Sequence, residues 1–118
     1  MPTEKSTATE DRRIVRRRAL KKGVTLTVRK GTMGLGPNLA AGGVELSDDG
    51  IQVRVKSELK RGDEIEIGLT GTGRSKPMTL ISDVRWCKED MDDDSGEFYF
   101  VGAKFRRRLA YAEICLFV

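Results

Sequence analysis

The sequence predicts an all-β protein: a six-stranded antiparallel β-barrel with a short C-terminal α-helix. Three observations carry this expectation. Six short runs alternate apolar and polar residues with the period of two that a half-buried strand requires. Turn signals rich in Gly, Asp and Asn separate them at short spacing. The chain then changes to helical spacing at its end. Closing the sheet into a barrel would remove the exposed edges that six open strands would otherwise present.

Taken in order, residues 1–11 are polar and read as a disordered tail, ahead of a domain spanning 12–118. The segment RRIVRRRALKKG, residues 12–23, has few apolar residues, ends at Gly23 and reads as an arm lying on the domain. Val24, Leu26 and Val28 share one face of a first strand. RKGTMGLGPNLAAGG, residues 29–43, reads as a long glycine-rich connection. Its glycine spacing resembles a phosphate loop only faintly, and no Gly-Lys-Ser/Thr follows, so a P-loop is rejected. VEL at 44–46 and IQVRV at 51–55 flank an acidic corner, with Gln52 and Arg54 opposite Ile51, Val53 and Val55. After a turn at Arg61-Gly62-Asp63, Ile65, Ile67 and Leu69 face inward. Met78, Leu80, Ser82, Val84 and Trp86 alternate along the fifth strand, which puts Trp86 on the core face. EFYFVGAKF, 97–105, makes the sixth. In the tail, Leu109, Ala112, Glu113 and Leu116 follow helical spacing, predicting a helix over about 107–117.

Composition bounds the function. With 118 residues, 38% hydrophobic and 34% charged, one domain with one modest core is expected. No apolar run approaches the ~20 residues of a membrane span, and the first residues lack a secretory signal's apolar stretch. A cytoplasmic protein without a membrane partner is therefore expected. Cys87 and Cys115, with no histidine in the chain, cannot build a familiar zinc site and read as buried, reduced thiols. The missing histidine removes the commonest general base, and no nucleophile–base pair or metal site offers itself, so a non-enzyme without cofactor is expected. Asp90, Asp92 and Asp94 match the start of an EF-hand loop, but Ser95 and Val101 stand where Gly and Glu are required, leaving a solvated hairpin turn. The net charge of +4 is uneven: residues 1–30 hold ten Lys/Arg against three Asp/Glu, and the remainder is net negative. A basic arm of this kind suits a phosphate-bearing partner, because Arg contacts phosphate through bidentate, charge-assisted bonds.

Two motifs stand out. Arg13-Ile-Val-Arg-Arg17 has the pattern Arg-x-x-x-Arg, and Arg12-Arg13-Ile-Val-Arg16 fits it equally well. Glu45-Leu-Ser47-Asp-Asp-Gly50 resembles Asp/Asn-x-Ser-x-x-Gly with Glu in the first place. Asn38 to Gly43 offers a second register, without the Ser and too far from the LKRGDE that follows. Together with LKRGDE, VRW and VGAKF in sequence, across roughly residues 11–115, the chain resembles the PilZ domain family.

The resemblance implies a PilZ-type barrel that binds the bacterial second messenger cyclic di-GMP. Arg12, Arg13, Arg16 and Arg17 would grip the ligand, Glu45, Ser47 and Gly50 would form the base-reading corner, and Trp86 would be a wall for a guanine if it is not core. The residue types suit the task. Arg meets phosphate oxygens or the guanine O6/N7 edge and stacks on bases. A carboxylate accepts from guanine N–H groups, a Ser hydroxyl donates or accepts, and Gly50 would let the corner turn tightly. Some family members hold a stacked ligand dimer, for which Arg12 is placed as support. Ligand binding would close the arm over the barrel, a disorder-to-order change altering the surface shown to an unknown protein partner. Glu is one methylene longer than Asp, which favours as an alternative a PilZ-fold interaction module that has lost the ligand. A basic nucleic-acid-binding barrel is a weaker rival, because aromatics are only 6% and no strand pairs exposed aromatics.

Overall fold

The computed structural model describes residues 17–72 and 76–118. The expected tail, and Arg12, Arg13 and Arg16 of the arm, lie outside the described residues. The strands are β1 (Thr25–Lys30), β2 (Ala40–Leu46), β3 (Gly50–Val55), β4 (Glu64–Thr70), β5 (Met78–Glu89) and β6 (Tyr99–Phe105), followed by the helix α1 (Tyr111–Ile114). They form one six-stranded sheet in the order β1-β4-β5-β6-β3-β2. Every neighbouring pair is antiparallel.

The sheet curls until its two outer strands meet. Leu39 N–H donates to the Val28 carbonyl (2.7 Å), and the Asn38 side-chain oxygen accepts from the Val28 and Ala40 amides, both 3.0 Å. This seam is a clasp, not a full ladder, so the barrel is nearly closed. Its interior is filled by the expected alternating residues: Ile51, Val53 and Val55 of β3, Ile65, Ile67 and Leu69 of β4, Leu80 and Val84 of β5, and Val101, Ala103 and Phe105 of β6. Leu109, Ile114 and Phe117 join the same core, so the C-terminal segment packs into the barrel's apolar interior.

Several expectations are corrected. The connection before β2 is shorter than the sequence suggests, because β1 continues through Arg29 and Lys30 and β2 begins at Ala40. Ala40–Gly43 lack strand propensity, yet cross-strand pairing with β3, with two irregularities, overrides that preference. The C-terminal helix is only Tyr111–Ile114. The arginine run cannot be helical: the Arg106 amide bonds the Ile81 carbonyl (3.0 Å) and the Leu109 amide bonds the Asp48 carbonyl (2.7 Å). Glu113 then fixes the helix start, accepting from the Ala110 amide (2.8 Å) and from the Arg107 guanidinium (3.0 Å), whose hydrogen bond holds its carboxyl below the usual range. The buried residues are Leu109, Ile114 and Phe117, whereas Leu116 of the expected stripe is exposed.

Cys115 is exposed and Cys87 half-buried, against the expectation of two buried thiols. The acidic turn is not merely solvated. Asp90 is buried and accepts from Arg54 Nε (2.9 Å), Asp93 accepts from Arg54 Nη2 (2.9 Å), and the guanidinium lies 3.9 Å from the centroid of the Phe98 ring. No helix among the described residues is long and apolar enough to cross a membrane.

Candidate functional site

The described part of the arm lies across the end of β2. Arg18 and Leu46 exchange backbone hydrogen bonds (2.9 and 2.7 Å), and Leu20 sits against Gly43, where any Cβ would collide with its side chain. Lys21 then reaches the C-terminal segment, its amide donating to the Phe117 carbonyl (2.7 Å) and its ammonium to the Cys115 carbonyl (3.1 Å). This path delivers Arg17 to the β2–β3 corner, where its Nη1 stands 3.5 Å from Glu45 Oε1.

The corner itself is tightly bonded. The Ser47 amide donates to the Gly50 carbonyl (3.0 Å), and the Ser47 hydroxyl donates to Asp49 Oδ1 (2.9 Å). Ser47 is therefore a buried brace whose proton is already committed; what it can still offer a ligand is an acceptor oxygen. The role expected for Gly50 is corrected as well. Gly50 has no left-handed backbone; its hydrogen faces β6, where a Cβ would stand 2.6 Å from the Ala103 carbonyl oxygen. Glycine is required by the close approach of two strands and not by the turn. Asp48 points away from this surface. Its carboxylate is fully buried, with Arg108 Nε 3.2 Å from Oδ2 at an ion-pair distance but without hydrogen-bond alignment.

The cross-strand register explains what stands beside the corner. Glu45 pairs with Gln52, Gln52 with Gly102, and Gly102 with Trp86. These four residues form one row over β2, β3, β6 and β5 on the barrel's outer surface. Trp86 reaches this row because the β5–β6 register slips between Val84 and Trp86. The extra residue, Arg85, breaks the alternation, so Trp86 leaves the face of Val84 and stands 39% exposed where strict spacing predicted core. Its indole lies against the Gly102 backbone: a Cβ there would come within 2.8 Å of Cζ2 and closer still to Nε1 and Cε2. The absence of a side chain at 102 is what allows the ring to lie down on the sheet.

Arg17, Glu45, Ser47, Gly50 and Trp86 thus line one cleft of about 250 Å³, joined by Asp49, Gln52, Arg85 and Lys104. Sequence reasoning missed these last four as site residues. Strand alternation already put Gln52 on the outer face; nothing local marked Lys104, and the slip at Arg85 could be seen only in the pairing.

The cations around this surface are not all alike. Arg106 is bonded by Asp83 (Oδ1, 2.8 Å) and Glu64, which raise its affinity for its proton, and the same bond to Arg106 holds the Asp83 carboxyl below its usual range. Arg54 and Arg107 are likewise paired. Arg85 and Lys104 have no carboxylate at ion-pair distance among the described residues.

Neither protein-family models, nor curated proteins, nor solved structures provide a match to this chain.

Proposed function

We propose that this chain is a cytoplasmic, non-enzymatic PilZ-type receptor or adaptor domain for cyclic di-GMP. Its arginine arm closes over the ligand on the barrel surface and changes the surface offered to a protein partner. The observation that carries this reading is the row Glu45–Gln52–Gly102–Trp86 beside Arg17. A flat indole seated on glycine supplies a stacking surface for a purine. A carboxylate and a primary amide in the same row can meet the donors and acceptors of a guanine edge. Arginine at the mouth suits phosphate, and Arg12, Arg13 and Arg16 precede it in the sequence.

One observation favours the second reading, an interaction module without ligand. Arg17 is turned toward Glu45, and Ser47 is satisfied by Asp49, so part of the corner is internally paired. The ion pair, however, is a long and exposed one, worth little and readily exchanged for a ligand contact.

Calorimetry with cyclic di-GMP, with cyclic di-AMP as control, decides between them. Saturable binding of the guanine ligand alone is expected, and no heat at high micromolar concentration would promote the interaction module. Glu45→Ala leaves guanine donors without a partner in a partly dehydrated cleft, which costs about 1–3 kcal/mol, or roughly 5- to 150-fold in affinity. Glu45→Asp is expected to tighten binding if the longer side chain is held in a strained rotamer. Glu45 is half-buried at the end of β2, so neither substitution should move the melting temperature by more than a few degrees. A sharp fall in melting temperature with affinity intact would make Glu45 a structural residue of the corner.

A further inference from the structure

We propose that Arg85 and Lys104 form a second anion grip apart from the arm, so that the cleft takes a ligand carrying two phosphates and a base stacked on Trp86. This deepens the nucleotide reading above and rests on it. Lys104 is paired in register with Asp83, the residue that would ordinarily neutralise it across two antiparallel strands. Both Asp83 oxygens are instead taken by Arg106, at 2.8 and 3.2 Å. Lys104 is left exposed and without a counter-ion among the described residues. Arg85 is the extra residue of the β5 slip, exposed on the same outer surface beside the indole. Both side chains line the cleft.

The placement of the two cationic ends sets the ligand class. Arg17 lies at the β2 end of the row and Trp86 at the β5 end, three strand spacings away, or about 14 Å at the usual ~4.8 Å per strand. Lys104 stands two residues along β6 from Gly102, and Arg85 adjoins Trp86 itself. A ring resting on Trp86 therefore has Arg85 beside it on β5 and Lys104 on the neighbouring strand, between the indole and the arm. A nucleoside monophosphate with its base on the indole can serve only one of these two cation groups. A ligand with two separate phosphates, as a cyclic dinucleotide has, can serve both. Arg85 and Lys104 carry like charge on neighbouring strands, and an anion held between them offsets their repulsion.

The test follows backbone amide shifts of the full chain during titration with cyclic di-GMP and, separately, with inorganic pyrophosphate. It compares wild type, Arg85→Ala/Lys104→Ala, and the charge-retaining Arg85→Lys/Lys104→Arg. In wild type both ligands should shift residues 85 and 104. The double alanine variant should bind cyclic di-GMP at least tenfold more weakly with a shallower salt dependence, and should lose the pyrophosphate shifts; the charge-retaining variant should recover most of both. Both sites are exposed, so unchanged melting is the expected control. Full affinity and full salt dependence in the double alanine variant would overturn the second grip while leaving the receptor reading standing. Pyrophosphate shifts at 85 and 104 without any cyclic di-GMP binding would sink the receptor reading and keep the anion site. Silence of both residues toward both ligands would overturn the anion site itself.

Discussion

Trp86→Ala is expected to weaken cyclic di-GMP binding by roughly 5- to 150-fold, because stacking a base on an aromatic ring is worth about 1–3 kcal/mol. Gly102→Val should do comparable damage without touching the indole. A side chain at 102 enters the space now held by Nε1, Cε2 and Cζ2 of Trp86, so the ring must lift off the sheet. The two variants separate stacking from mere bulk: one removes the platform and the other unseats it. Trp86 is the single tryptophan of the chain, so its fluorescence reports the event directly. In wild type, ligand should quench it; in Gly102→Val the resting emission should already resemble that of a more solvated indole. Valine is a good strand residue, so folding should survive. Wild-type affinity in both variants would remove Trp86 from the site.

Phe117→Ala should have the largest effect on stability. The side chain is 1% exposed and belongs to the apolar core, and truncating a buried Phe costs about 3–5 kcal/mol through lost transfer energy and the cavity left behind. Domains of this size hold only about 5–15 kcal/mol in total, so the variant should approach the unfolding threshold. Urea denaturation measures this, with Leu116→Ala as the neighbouring control. Leu116 is 44% exposed, and its truncation should stay within about 0.5 kcal/mol of wild type. Equal losses at 116 and 117 would mean that the packing of the C-terminal turn is misassigned. A further effect distinguishes the two positions. The Phe117 carbonyl receives the Lys21 amide, so loosening residue 117 should also speed amide exchange at Lys21.

Most of the barrel was legible because strand alternation and core burial report the same physical fact. Ile51, Val53 and Val55, or Ile65, Ile67 and Leu69, can satisfy a period of two only by facing one interior. What escaped was set by partners distant in sequence. Trp86 followed the rhythm of Val84 on paper, but one slip against β6 reversed its direction. The C-terminal periodicity placed Leu109 correctly but missed Ile114 and Phe117, because the arginine run was already committed to Ile81 and Asp48. Ala40–Gly43 looked like loop because local propensity is weak there, and the pairing with β3 decides it. In the site, the motif positions Arg17, Glu45, Ser47 and Gly50 do gather at one cleft. Gly50 carries a different duty from the tight turn the resemblance implied, since it admits the neighbouring strand, and Ser47 braces the corner with its proton while keeping an acceptor oxygen. Arg85 and Lys104 stand in VRW and VGAKF, but nothing in those runs marks them or Gln52 as site residues; only the register brings the three to the same surface.

The strand order has a kinetic consequence. β2–β3, β4–β5 and β5–β6 pair as chain neighbours, whereas β1 must find β4, with Thr25 opposite Thr70, and β3 must find β6, with Gly50 opposite Lys104. Closing so long a loop spends chain entropy before any contact returns it, which places barrels of this type among the millisecond-to-second folders. The surface row on β2, β3, β6 and β5 does not include β1 but needs the β3–β6 closure, whereas Trp86 meets Gly102 within the local β5–β6 pair. The arm arrives with β1, since Gly23 joins them, so the indole platform of the cleft should form ahead of the arm. Stopped-flow refolding followed by the single indole should then show Trp86 reaching its native environment no later than the Arg18 amide becomes protected in pulsed exchange. The reverse order would mean that β1 docks first and the hairpins condense upon it.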